Sequence, residues 1–188
     1  MADLNIVSIC GSLRKASFNA ALQRALPGLA PASMKITPAP AWADIPMYNF
    51  DVQSAGFPAS VTAWADAIRN ADGVIIVSPE YNWTIPGGLK NAIDWTSRLK
   101  DDPFKGKAVA IQSCAGGLLG GARMQGHLRQ CLTGVEAVML IRPEVYVTFS
   151  AKKFAEGSLE LTDQPTKDMV KLQLEAFEKF VRKQTGKS

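Results

Sequence analysis

Residues 4–19 read L-N-I-V-S-I-C-G-S-L-R-K-A-S-F-N and carry the strongest indication of the fold class. It begins with a nearly continuous apolar run, Leu4–Cys10, which Gly11 and a polar loop follow before a helix-like pattern starts. Apolar runs of this length are typical of strands covered on both faces, as in a parallel sheet. The stretch therefore predicts a buried parallel strand, a short loop and a helix.

The same unit recurs along the chain, which predicts an α/β fold with a doubly wound parallel sheet. The predicted strands are 4–10, 34–37, 73–78, 107–113 and 137–141. The predicted helices are 19–29, 59–71, 88–99, 121–132 and 166–182. We expect one domain over residues 1–188, because this length suits a single core. The proline-rich segment 38–58 is expected to be a long ordered loop, since it carries Trp42, Tyr48 and Phe57.

The composition argues against several classes of protein. With 47% hydrophobic and 20% charged residues, the chain is not expected to be disordered. No apolar run approaches the roughly 20 residues of a membrane helix, and residues 1–5 lack a basic leader, so we expect a cytoplasmic protein. The net charge is +4, but the basic residues are dispersed, which argues against nucleic-acid binding. Three scattered cysteines and one histidine, His127, make a disulfide framework or metal site improbable.

Parallel sheets bind ligands at the carboxyl ends of their strands, so the loops after three strands are the candidate site. A helix begins directly after the first loop. The backbone N–H groups of the loop and the positive end of the helix dipole are therefore directed at the same position. Ser12, Ser17 and Asn19 add neutral donors, and Arg14 adds a charged fork that suits a phosphate. The loop matches neither the P-loop nor the G-x-G-x-x-G pattern. A polar turn with Ser17 as helix N-cap is the alternative.

The second and third loops have the composition of a surface for a flat heteroaromatic ring. Residues 78–92 read S-P-E-Y-N-W-T-I-P-G-G-L-K-N-A, in which aromatic residues and prolines form a rigid ledge. Residues 113–123 read S-C-A-G-G-L-L-G-G-A-R, in which four glycines allow close backbone approach and free N–H groups. Such donors would stabilise a ring that becomes anionic on reduction. For residues 78–92, the alternative is a folded turn whose aromatic side chains fill the core. For residues 113–123, the alternative is a flexible turn followed by the start of a helix.

Together the loops resemble the NADPH-dependent FMN reductase family, close to its chromate and quinone reductase branch. The resemblance rests on G-S-L-R-K-A-S-F-N at 11–19, A-D-I-P-M-Y at 43–48, A-D-G-V-I-I-V-S-P-E-Y-N at 71–82, P-G-G-L-K-N-A-I-D-W at 86–95 and G-G-A-R at 120–123. It covers nearly the full length and implies a flavodoxin-like fold with five parallel strands in the order 2-1-3-4-5. Trp83 and Gly126 depart from the pattern, because relatives carry tyrosine there.

The resemblance also implies FMN as cofactor, NAD(P)H as co-substrate, and a set of cofactor-binding residues. These are Ser12, Arg14, Ser17 and Asn19 at the phosphate, Pro79, Glu80, Tyr81 and Asn82 along the isoalloxazine and ribityl chain, and Ser113, Ala115, Gly116 and Gly117 near the pyrimidine end. No catalytic side chain is expected, because the flavin supplies the redox chemistry. Members are typically dimers or dimers of dimers, which implies self-association up to a homotetramer. Arg123 and Glu144 are then expected to pair across a subunit boundary.

The implied activity is reduction of small acceptors by ping-pong hydride transfer through FMN. The implied acceptors are quinones, chromate and other oxidised metal species, with azo compounds as a further class. A flavodoxin-type electron carrier is the main alternative, although such carriers are usually strongly acidic and this chain has a net charge of +4. A flavin-free scaffold or regulatory protein is a third possibility that the residues leave open.

Overall fold

The computed structural model describes residues 2–187, in which strands and helices alternate. The strands are β1 (Leu4–Cys10), β2 (Met34–Pro38), β3 (Gly73–Ser78), β4 (Ala108–Cys114), β5 (Val138–Met139) and β6 (Val145–Val147). The helices are α1 (Phe18–Leu29), α2 (Phe50–Ala55), α3 (Ala59–Arg69), α4 (Gly87–Thr96), α5 (Ala122–Gly134) and α6 (Gln164–Thr185), with short 3-10 helices at Trp42–Asp44 and Ser150–Lys152. Met1 and Ser188, which the predicted domain 1–188 includes, lie outside the described residues.

The sheet confirms the predicted topology, because its strand order is β2-β1-β3-β4-β5 and its strand pairs are parallel. Cys10 of β1 lies beside Val77 of β3, and Ser78 of β3 lies beside Ser113 of β4. The carboxyl ends of β1, β3 and β4 are therefore level with one another. The three loops that follow these strands leave the sheet at one edge, where this type of fold binds ligands.

Both faces of the sheet are covered, as the apolar strands predict. Every residue of β3 and β4 is buried. One core cluster packs α3, α4 and α5 against the sheet, with Trp64, Trp95 and Phe104 as its largest members. The other packs α1 and α6 against the opposite face and includes Leu22 and Phe177. Among residues 2–187, no helix has the length and apolar character needed to cross a membrane.

The last strand is shorter than predicted. The run 137–141 forms only the two-residue strand β5, and β6 pairs further along β4, where Gln112 lies beside Val145. Pro143 explains the interruption, because proline has no N–H to donate to the sheet. Gln173 of α6 fills the gap, since its Nε2 atom donates to the Pro143 carbonyl at 2.7 Å and to the Ile111 carbonyl at 3.3 Å.

The proline-rich segment 38–58 is ordered, as predicted, but it is not only a loop. It contains a 3-10 turn and the short helix α2, whose N-cap residue Asn49 accepts a hydrogen bond from the Asp51 N–H at 2.9 Å. A six-residue helix is too short to produce a recognisable apolar period, which is why the pattern missed it. Asn91 of α4 anchors the segment, because its side chain accepts from Tyr48 N and donates to the Pro46 carbonyl, both at 2.8 Å.

Substitution of Gly88 tests how tightly this segment packs against α4. The Trp42 ring lies on Gly88, where an added Cβ would be 2.2 Å from a ring carbon, and the Trp42 Nε1 atom donates to the Cys10 carbonyl at 2.8 Å. We expect Gly88→Ala to lower the free energy of unfolding by about 1–3 kcal/mol through overpacking. Gly87→Ala is the matched control, because a Cβ there meets nothing within 4 Å. Equal urea midpoints for the two variants would contradict the prediction.

Candidate functional site

A cavity of about 190 Å³ lies at the carboxyl ends of β1, β3 and β4. Its lining comes from all three predicted loops: Ser12, Arg14, Ser17, Phe18, Asn19, Pro79, Glu80, Tyr81, Cys114, Ala115, Gly116 and Ser150. Larger hollows of about 320 and 380 Å³ lie elsewhere, the first at the amino ends of β3 and β4 and the second between α4 and α5. The smaller cavity is the candidate site, because it lies where the strand ends and the helix α1 terminus converge.

The first loop gives the cavity the features of an anion site. Ser17 caps α1, since its side chain accepts from the Ala20 N–H at 3.3 Å, and Ser12 is buried with its Oγ atom 3.5 Å from the Tyr81 hydroxyl. Arg14 is exposed, and its side chain makes no ion pair within residues 2–187. A guanidinium group beside a helix N-terminus is well placed to bind a phosphate.

Asn19 has a different position from the other three predicted phosphate residues. It is 4% exposed, and both ends of its amide bind the backbone of Cys114. Nδ2 donates to the Cys114 carbonyl at 2.9 Å, and Oδ1 accepts from the Cys114 N–H at 3.0 Å. Asn19 therefore joins the start of α1 to the end of β4, and one Nδ2 hydrogen remains for a ligand.

The second loop contains a tight turn over residues 81–84. The Tyr81 and Thr84 backbones exchange two hydrogen bonds of 3.0 Å, and the residues between them, Asn82 and Trp83, have positive φ angles of 46° and 70°. This is the twist of a two-residue hairpin, in which asparagine is common and a bulky residue is unusual. The turn places the 47% exposed Tyr81 on the cavity, whereas Asn82 does not line it.

Glu80 lines the cavity, but its carboxylate is already bound. Its Oε1 atom accepts from Arg123 Nε at 2.6 Å, and its Oε2 atom accepts from the Met124 N–H at 3.2 Å. Arg123 thus has a partner within the chain, and its pairing with Glu144 across a subunit boundary stays a prediction. Glu144 accepts from the Tyr146 hydroxyl at 2.7 Å. No sequence pattern predicts the Glu80 contact, because 43 residues separate the two partners.

The third loop contributes backbone rather than side chains. Ala115 and Gly116 line the cavity, and an added Cβ at Gly116 or Gly117 would meet no atom within 4 Å, so this edge is open. Gly117 itself does not line the cavity. Ser113 does not line it either, because it is fully buried and its hydroxyl accepts from Gln125 Nε2 at 2.8 Å. The Ser113 side chain therefore faces Gln125, and its contact with the cofactor stays a prediction.

Three lining residues were missed from the sequence: Phe18, Cys114 and Ser150. Cys114 lies directly after the predicted strand 107–113 and could have been named from that position. Ser150 carried no signal, because it reaches the cavity only when β6 pairs with β4, where its N–H donates to the Ala115 carbonyl at 3.1 Å. Burial raises the pKa of the Cys114 thiol to about 12, so the thiol stays neutral and is a poor nucleophile.

Comparison with protein families gives a result that is consistent with this site. The model of the NADPH-dependent FMN reductase family matches residues 4–152, a span that includes all three loops and Ser150. This chain belongs to the NADPH-dependent FMN reductase family. Membership confirms the resemblance found in the sequence, and with it the assignment as an FMN-dependent oxidoreductase that uses NAD(P)H. Among residues 2–187, no group of three or more His, Cys, Asp or Glu side chains could hold a metal ion.

Individual relatives support the family and the fold. The quinone reductase of Escherichia coli K12 is 50% identical over 181 residues, which are 96% of each chain. The NAD(P)H-dependent FMN reductase of Pseudomonas aeruginosa is 42% identical over 185 residues, which are 98% of each chain. FerB, a flavoenzyme NAD(P)H:(acceptor) oxidoreductase of Paracoccus denitrificans, has a solved structure that matches with a TM-score of 0.87 at 33% identity, covering 96% of this chain and 98% of that one. The flavodoxin-like fold is therefore confirmed.

Proposed function

We propose that this chain reduces quinones with electrons from NAD(P)H, using FMN bound at the cavity of the three loops. One observation carries the proposal: an exposed Arg14 and the α1 N-terminus meet the Tyr81 ledge and the open Gly116 edge in a single cavity. Relatives named quinone reductase support the choice of acceptor, at 50% identity in Escherichia coli and 35% in Pseudomonas putida. Residues 1–188 would then act as one FMN-binding domain.

The residues that line or flank the cavity fit FMN in three parts. Ser12, Arg14, Ser17 and the free N–H groups of α1 would hold the phosphate. Pro79, Tyr81 and Asn82 would bound the ring and ribityl chain, and the backbone of Ala115, Gly116 and Gly117 would donate to the ring edge. Asn19 would offer its remaining Nδ2 hydrogen to the phosphate, whereas Glu80 and Ser113 would act from behind this surface, because their side chains are already hydrogen-bonded. Bound FMN supplies the redox chemistry, since it can take two electrons from NAD(P)H and release them to an acceptor.

Acceptor choice would depend on the open rim of the cavity rather than on a catalytic side chain. Exposed apolar residues lie in or beside the third loop, with Leu118 72% exposed, Leu119 49% and Phe149 44%. These side chains favour a flat apolar acceptor such as a quinone. The net charge of +4 would also attract anions, so we include chromate and, as further classes, other oxidised metal species and azo compounds.

The same exposed apolar residues support self-association. We propose a dimer or a dimer of dimers, because large exposed apolar side chains on a folded chain often mark protein–protein contacts. Light-scattering mass of the purified protein measures this directly. A monomer at micromolar concentration would contradict the proposal.

Anaerobic mixing of the FMN-loaded protein with NADH or NADPH tests the function. The visible flavin absorbance should bleach and should return when a quinone is added. Absorbance that persists with both nucleotides would favour an electron carrier. A protein that stays colourless after FMN is supplied would favour a flavin-free role.

The order in which the two substrates bind is a separate prediction, and it follows from the single open edge of the cavity. NAD(P)H and quinone would occupy the same face in turn, so double-reciprocal plots should give parallel lines. Excess quinone should inhibit competitively against NAD(P)H, because it would bind the form of the enzyme that the nucleotide needs. Intersecting lines would show that both substrates bind together and that the shared-face proposal is wrong.

A further inference from the structure

The carboxylate of Glu80 is buried at a point where a free negative charge would disfavour an anionic ligand. Its side chain is 8% exposed, yet both oxygens are satisfied, one by Arg123 and the other by the N–H of Met124 in the first turn of α5. A carboxylate at a helix N-terminus is stabilised by the helix dipole, and the guanidinium neutralises it further. The charge of Glu80 is therefore directed at α5 and not at the cavity.

We infer that Glu80 is a positioning residue: it fastens the 81–84 turn to α5 and so sets where Tyr81 stands at the cavity. The inference deepens the proposed function and rests on it for the role of Tyr81. It replaces the expectation that the Glu80 side chain contacts the cofactor. The group of contacts between the turn and α5 is named the α5 clamp below, and it comprises the Glu80, Trp83 and Thr84 contacts to Arg123, Met124 and His127.

The α5 clamp holds a turn whose backbone is unfavourable on its own. Two adjacent residues with side chains, Asn82 and Trp83, have positive φ, a conformation that persists only when surrounding contacts support it. The Arg123 guanidinium lies over the Trp83 ring at 4.3 Å from its centre. His127 Nδ1 lies 2.8 Å from Thr84 Oγ1 on the next turn of α5. Glu80 fixes Arg123 in this place, so its loss should release the whole turn.

A double-mutant cycle in flavin binding separates positioning from direct contact. Glu80→Gln and Arg123→Met each break the α5 clamp, and each should weaken FMN and riboflavin by the same factor, about tenfold for a coupling typical of residues in contact. The double variant should be no weaker than the single ones, because the clamp can be lost only once. Arg69→Met is the control, since it removes an ion pair with Asp101 at the opposite edge of the sheet and should leave both affinities unchanged. Additive effects of the two clamp variants would overturn the inference, because they would show that Glu80 and Arg123 act independently and not as one clamp.

A second measurement uses the cofactor-free protein, so that it does not depend on the proposed function. Trp83 is 67% exposed, whereas Trp64 and Trp95 are fully buried and Trp42 is half-buried, so acrylamide quenching of tryptophan fluorescence reports mainly on Trp83. Glu80→Gln should raise the quenching constant, and the change should disappear in a Trp83→Phe background. Raised quenching in a protein that binds no flavin would support the clamp and reject the proposed function. Unchanged quenching in Glu80→Gln would overturn the clamp.

Discussion

Replacing Arg14 with alanine is expected to weaken FMN binding by about 10- to 150-fold and to leave riboflavin binding almost unchanged. A hydrogen bond to a charged group contributes roughly 1.5–3 kcal/mol, which converts to that range of affinity. The Arg14 side chain is exposed beside the N-terminus of α1 and lines the cavity, so its charge is available to a phosphate. Riboflavin lacks the phosphate and should therefore be insensitive to the substitution. Quenching of flavin fluorescence during titration measures both affinities.

Lys15→Ala is the matched control for charge. Lys15 is the next residue along the loop and is also exposed, but it does not line the cavity. A general electrostatic attraction would make the two variants equivalent, whereas a specific phosphate contact should affect only Arg14→Ala. Equal weakening of FMN and riboflavin by Arg14→Ala would show that Arg14 is not a phosphate ligand.

Replacing Asn19 with leucine is expected to lower both the free energy of unfolding and the affinity for FMN. The leucine side chain cannot bond the Cys114 backbone, so a buried N–H and a buried carbonyl lose their partners. An unsatisfied buried group costs about 1–3 kcal/mol, and we expect a total loss of about 2–4 kcal/mol. FMN binding should fall as well, because α1 and the end of β4 form adjoining walls of the cavity. Urea unfolding and flavin titration measure the two effects.

Asn91→Leu separates the two effects, because Asn91 makes the same kind of two-ended contact away from the cavity. It bonds Tyr48 N and the Pro46 carbonyl, and it is 5% exposed against 4% for Asn19. Its replacement should cost comparable stability but leave FMN affinity unchanged in the folded protein. If both variants weaken FMN by the same factor, the affinity loss of Asn19→Leu reports general destabilisation and not a role in the cavity.

Most of the fold could be predicted from local patterns. The apolar run Leu4–Cys10 and the similar runs at 73–78 and 107–113 match strands to within a residue, because buried parallel strands need continuous apolar sequence. The strand order came from the family resemblance, since the periodicity of one strand carries no information about its neighbours. The prediction was wrong at the last strand, where 137–141 forms only the two-residue β5, and incomplete where α2 is too short to show a helical period.

Local sequence patterns are enough to predict that three loops meet at one edge of a parallel sheet, because each loop follows an apolar strand and parallel strands end at the same edge. Which side chains remain free there depends on contacts that exist only in the folded chain. Arg14 stays exposed, whereas Glu80 is bound by Arg123 and Asn19 is bound by Cys114. These partners lie 43 and 95 residues away, and a hydrogen bond between distant residues leaves no periodic trace in the chain. It depends on how α1 and α5 pack against the ends of β4 and β3, because packing determines which polar groups face each other.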